Sequence, residues 1–152
     1  MMITKEFVLA GKAIFTLELP AEFAAKHGCK PHYTYRVNYS EATAEFPEAW
    51  WVGKLTGPEN IRDYSDVGKV NAFTGEVTIT KLSKFTKDSM TFKLINRVLA
   101  RVWAGDTAAI EAAGFKLHNA GRCGRCLKTL TVPESIESGF GPECRGKVAG
   151  AA

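Results

Sequence analysis

The sequence predicts an α+β protein in which an N-terminal antiparallel sheet packs on a long amphipathic helix, followed by a C-terminal treble-clef-like zinc knuckle. Three observations carry this. Residues 1–80 hold period-two runs broken by glycine and proline; residues 88–104 repeat apolar side chains at helical spacing; and Cys123, Cys126 and Cys144 gather near the C-terminus. With 152 residues, 45% apolar and 24% charged, the chain fits one domain, or one domain with a small appendage, and excludes a fibrous or disordered protein.

Each element has a local reason. Residues 13–19 form a β-rich run ended by Pro20, and residues 21–27 before Gly28 suit a short helix with a glycine C-cap. From His32 onward Tyr33, Tyr35, Val37 and Tyr39 alternate with Thr34, Arg36 and Asn38, the pattern of a half-buried strand whose aromatic face is expected in the core. A third run, 50–55, stops at Thr56-Gly57-Pro58; its adjacent Trp50 and Trp51 point to opposite faces, one toward the core and one a candidate exposed anchor. Residues 68–72 and 76–80 flank a Phe73-Thr74-Gly75 turn, completing about five antiparallel strands.

In 88–104, Phe92, Ile95, Val98, Leu99 and Val102 define one helical face, with Asp88 or Ser89 as N-cap and Gly105 as stop. A shorter helix follows at 107–113. The expected organisation is an α+β domain over 1–114 (sheet about 1–80, helices about 88–113), a knuckle module over 115–148, and a tail, 149–152, that frays.

No apolar run reaches the ~18–20 residues needed to cross a bilayer, and Lys5, Glu6 and Lys12 interrupt any signal-peptide core, so a soluble cytoplasmic protein with no membrane partner is expected. Charge is uneven. Residues 1–80 carry 8 basic and 10 acidic side chains, and residues 81–152 carry 12 and 6, which points the second half toward a polyanion. No phosphate-binding glycine loop, nucleophile elbow or paired-histidine metal motif is present, so no catalytic set is expected. His27 and His32 beside Cys29 are more simply a solvated loop.

Cys123 and Cys126 stand at Cys-x2-Cys spacing around Gly124, suited to a tight turn that presents two thiolates to one Zn²⁺. Cys144 follows Gly141-Pro142-Glu143, at the start of a helix, where the dipole favours a thiolate. A structural zinc needs a fourth ligand. His118, in a His-x4-Cys-x2-Cys-x17-Cys unit, is the first candidate and Cys29 the alternative, with water or another group as the remaining choice. A hairpin is expected between knuckle and ligand-bearing helix. A thioredoxin-type redox pair is disfavoured because no βαβ unit surrounds the cysteines.

The run Arg122-Cys123-Gly124-Arg125-Cys126, with Leu130-Thr131-Val132-Pro133-Glu134-Ser135 and Gly139-Phe140-Gly141-Pro142-Glu143-Cys144 after it, resembles a small cysteine-containing domain of unknown function found in bacteriophage and mobile-element proteins. The resemblance spans about 118–147 and implies zinc and a phage-type origin, without an activity. Leu127 stands where that domain usually carries glycine. A weaker similarity, in Leu55-Thr56-Gly57-Pro58-Glu59-Asn60, is to the β-rich partner that often precedes it.

Lys93, Arg97 and Arg101 form one stripe of the long helix, led in by Lys81, Lys84 and Lys87, while Arg122, Arg125 and Lys128 ring the knuckle. Packed together they would make one phosphate-binding surface. The expected function is a non-enzymatic zinc protein that binds DNA or RNA. The alternative is a phage protein that engages a host or defence protein.

Overall fold

The computed structural model describes residues 3–147; the tail expected to fray, 149–152, lies outside them. In chain order the elements are α1 (Lys5–Val8), β1 (Lys12–Glu18), α2 (Ala21–His27), β2 (His32–Ser40), β3 (Ala49–Leu55), β4 (Tyr64–Val70), β5 (Val77–Thr78), α3 (Met90–Trp103), α4 (Thr107–Ala112), β6 (Lys116–Asn119), α5 (Pro133–Ser138) and α6 (Pro142–Arg145). The strands make one antiparallel sheet in the order β5-β4-β3-β2-β1-β6. β1 to β5 form a meander with sequence neighbours paired, and β6 returns to the free edge of β1.

Register separates the two faces. Phe15 stands opposite Tyr35, Leu17 opposite Tyr33 and Ala13 opposite Val37, which gives one apolar face. α3 lies on that face: the Tyr35 hydroxyl donates to the Thr91 carbonyl at 2.8 Å, satisfying the one polar atom of a fully buried ring. The opposite face carries Ile14 against Arg36 and Thr16 against Thr34, whose hydroxyls are 2.7 Å apart.

α3 begins where Ser89 Oγ accepts the Phe92 N–H at 3.1 Å, an N-cap that removes one orphan donor. Phe92, Leu94, Ile95, Val98, Leu99 and Val102 are buried, whereas Lys93, Arg97 and Arg101 are exposed. At its far end the Trp103 indole donates to the Ala72 carbonyl at 2.9 Å and pins the β4–β5 hairpin. Gly75 of that hairpin has φ +76, and a Cβ there would meet the Trp103 ring at 2.8 Å. Among the described residues no helix is long and apolar enough to cross a membrane.

The tryptophan pair sits as its alternation requires but supplies no exposed anchor. Trp50 donates to the Leu9 carbonyl at 2.9 Å and packs on Tyr39, with ring centroids 4.9 Å apart. Trp51, half-buried on the other face, lies under Lys69, whose Nζ is 5.3 Å from the ring centroid.

Three elements go beyond the sequence reading. β6 adds to β1 with Leu17 opposite Leu117 and Thr16 opposite His118, so the sheet extends past residue 80 into the segment assigned to the knuckle module. Residues 133–138 form a helix where a hairpin was expected, with Pro133 in the first turn and Gly139, φ +80, as left-handed stop. α1 is a single turn capped by Thr4, whose Oγ1 accepts the Phe7 N–H at 3.2 Å.

That short helix delivers Phe7 into a core running from the sheet to Cys123, Leu130, Phe140 and Cys144. Phe7 is fully buried, and its ring meets Phe140 edge-on at 5.9 Å. Replacing Phe7 with alanine should cost about 3–5 kcal/mol in urea unfolding. It should also raise thiol reactivity at Cys123 and Cys144, which the conservative Phe7→Leu change should largely spare.

Candidate metal centre

The loop bearing the first two cysteines is closed by its own backbone. Leu127 N–H donates to the Cys123 carbonyl and Cys123 N–H to the Lys128 carbonyl, both at 2.9 Å, while Arg122 pairs with Thr129 in an isolated bridge. Leu130 N–H to the Gly121 carbonyl, at 2.8 Å, ties the base. Closing so tight a turn forces Leu127 to φ +66, and among the described residues it is the one non-glycine in the left-handed region. An L-residue there bears about 1–2 kcal/mol of strain. This is the position where the resembling domain usually carries glycine.

Gly124 fixes the loop to the rest of the protein. Its N–H donates to the Gly139 carbonyl at 2.9 Å, and its carbonyl accepts the Lys12 N–H at 2.8 Å. A Cβ on Gly124 would lie 2.8 Å from the Phe7 ring, and one on Gly139 2.5 Å. Both glycines are therefore needed for close approach. Cys144 comes from α6, where Pro142 fills the first turn.

The sulfurs of Cys123, Cys126 and Cys144 all lie within 4.8 Å of one another. One tetrahedral ion at ~2.3 Å from each sulfur would need separations of ~3.8 Å, so only a small contraction is required. Cys123 and Cys144 are buried and Cys126 is exposed. Three close cysteines of this kind could hold a metal ion.

The environment treats the two buried thiols differently. Burial pushes Cys123 up, but N–H donors from Gly141, Arg125 and Cys126, with the Cys126 side chain, outweigh it and hold the thiol below its ordinary value. Burial also pushes Cys144 up; the Arg125 guanidinium opposes this, while Cys126 and Cys123 reinforce it, and the thiol stays above its ordinary value. Arg125 serves both sulfurs directly: its N–H lies 3.4 Å from Cys123 Sγ and its guanidinium 3.5 Å from Cys144 Sγ. Sequence reasoning placed Arg125 on a phosphate surface. Its position between two ligand-spaced cysteines was the signal for this second role.

The fourth-ligand candidates lie elsewhere. The pleat that turns Leu117 onto the core turns His118 to the other face, opposite Thr16, where Nε2 is 3.4 Å from Glu18 Oε1. Cys29 is half-buried beside Tyr33, whose hydroxyl is pushed up by burial and by Cys29. Neither joins the sulfur cluster.

The basic residues divide in the same way. Lys93, Arg97 and Arg101 stand on α3, on the apolar side of the sheet, with Arg101 3.6 Å from Asp106. Arg122 instead lines a cleft of about 570 Å³ on the opposite face with Ile14, Thr16, Thr34 and Tyr64, and donates to the Leu127 carbonyl at 3.1 Å. Lys128 is exposed beside the knuckle.

Residues 119–149 match a family of unknown function, DUF6011, so the similarity covers the knuckle, α5 and α6. No curated protein and no solved structure matches the chain.

Metal titration should separate the ligand candidates. Cys126→Ser and Cys144→Ser should each weaken metal binding by more than the ~10–100-fold typical of losing a supporting partner. His118→Ala should leave stoichiometry and affinity unchanged; equal loss in that variant would return His118 to the ligand set.

Proposed function

We propose that the chain is a non-enzymatic accessory protein of phage or mobile-element type that holds one structural Zn²⁺ in a treble-clef-like knuckle and binds nucleic acid through its basic C-terminal half. Three cysteine thiolates form a soft donor set that suits zinc. The treble-clef reading is supported by two ligands on a tight loop and the third on α6. Phage-type origin rests on the resemblance of the C-terminal motif.

The observation that carries the nucleic-acid reading is a run of exposed cations leading into α3 and along its outer side: Lys81, Lys84, Lys87, Lys93, Arg97 and Arg101. Lys93 and Arg97 have no ion pair among the described residues. Lys93 to Arg101 spans about 12 Å of helix, enough to follow successive phosphates of one strand. Arg122 and Arg125 are engaged in the knuckle, so α3 is the primary contact and Lys128 a secondary one. The chain's own backbone and side chains supply binding and orientation only.

A second reading is favoured by Phe73, 94% exposed at the tip of the β4–β5 hairpin, and Phe46, 68% exposed. Large apolar side chains so placed fit anchors for a host or defence protein.

Binding to labelled single- and double-stranded DNA and RNA across a salt series tests the first reading. Log affinity should fall with log salt at ~0.7–0.9 per phosphate contact. Reversing Lys93, Arg97 and Arg101 to glutamate should flatten that slope by ~2–3 while zinc content and circular dichroism stay unchanged. Absence of binding to all of these at low salt would end the nucleic-acid reading. Loss of partner capture in Phe73→Ala would then support the second.

A further inference from the structure

We infer that this chain supplies only three thiolates to the metal, and that the fourth position opens into a cavity where it takes an external thiol, bound as a thiolate. The inference rests on the zinc reading above and concerns the one donor that reading leaves unassigned.

Every histidine, cysteine, aspartate and glutamate of the sequence falls within the described residues, and the set that converges is Cys123, Cys126 and Cys144. His118 is held on the far face of β6, and Cys29 lies beside Tyr33. The sulfur triangle has two unlike sides. Behind Cys123 is packed core, where Phe7 closes on Gly124 and Gly139 with no room for even a methyl group. On the other side Cys126 and Cys144 line a cavity of about 320 Å³ with Lys128, Leu130, Ser135 and Glu143. That is roughly ten times the ~30 Å³ share of one water, ample for a small thiol. Zinc prefers four ligands, so the free side of the triangle is the side from which the last one arrives.

Softness favours a sulfur donor at a site already rich in thiolates, and the extra negative charge it brings is offset by Arg125, 3.5 Å from Cys144 Sγ, and by Lys128 in the lining, against the one carboxylate there, Glu143. The leucine and serine walls accept a short aliphatic stem. In thiol-free buffer a water would complete the four ligands; on thiol binding that metal–water bond and the incoming S–H bond break, water and the proton leave to solvent, and the sulfur forms the new metal–sulfur bond, with no electrons transferred. A small-molecule thiol and a cysteine of another chain share this chemistry, and a saturable response to free thiol is what assigns it to the former.

Cobalt(II) in place of zinc makes the donor set visible, because the sulfur-to-cobalt charge-transfer absorption grows with each thiolate bound. Full-length protein in thiol-free buffer should bind one equivalent with a three-thiolate spectrum. Adding 2-mercaptoethanol should raise that absorption by about one third in a saturable manner, completing four sulfur donors. Thr129→Trp, which puts an indole in place of a small side chain in the cavity lining, should keep one cobalt but abolish the response. A thiol-insensitive spectrum in the unaltered protein would overturn the inference, whether it shows three thiolates or a closed set that changes in His118→Ala. A four-thiolate spectrum without added thiol, with a dimer in sedimentation that Cys29→Ser dissolves, would overturn it in favour of a second copy. Failure to bind cobalt or zinc at all would instead remove the zinc reading beneath it.

Discussion

The ring of Phe7, closed between Gly124 and Gly139, is the contact on which the rest of the molecule depends. α1 has four residues, too few to be helical alone, and the cysteine module is too small to bury a core of its own. Each completes the other. The Phe7–Phe140 contact joins them through side chains, and the Lys12 N–H to Gly124 carbonyl bond joins them through backbone at the point where β1 begins. A methyl group on either glycine would occupy the ring's place, so the knuckle's shape is set by what must fit behind it as much as by any ion.

From that contact the chemistry of the cysteines follows. Seating the loop on Phe7 buries Cys123, and burial alone would favour a neutral thiol. The same tight turn aims the Arg125 N–H at Cys123 Sγ, and the Arg125 side chain reaches Cys144 Sγ. A residue that reads as a surface cation is thus part of the sulfur environment. The sheet then divides the remaining cations: α3 occupies the apolar face, and Arg122 lines the cleft on the other. Any polyanion that used both groups would have to pass around an edge of the sheet.

Much of this was legible in the residues. Alternation of Tyr33, Tyr35, Val37 and Tyr39 marked a strand with an aromatic face; Tyr33 and Tyr35 are in the core, but Tyr39, at the strand's end, is exposed and donates to Glu48. Gly28 ends α2 at φ +59, and Asp106 caps α4. The cysteine spacing pointed to sulfurs that do converge. Elsewhere local sequence was silent or misleading. Lys116-Leu117-His118-Asn119 is too short to show a period, yet pairing with β1 decides which way His118 faces, and closeness in sequence to Cys123 could not. Pro133 in the first turn and Gly139 as left-handed stop bracket a helix in the usual way, between the cysteine loop and α6, where the knuckle pattern alone predicts a hairpin. Nothing in a lone phenylalanine near the N-terminus reveals that two glycines more than a hundred residues later are shaped to receive it.

Amide hydrogen exchange on metal-loaded and chelated protein tests this dependence most directly. If Phe7 couples the two parts, chelation should speed exchange at the Gly124 amide, which bonds Gly139, and at the Lys12 amide, which bonds Gly124, while the β2–β3 amides remain protected. Faster exchange confined to residues 121–147, with the Lys12 amide and α1 unchanged, would contradict it.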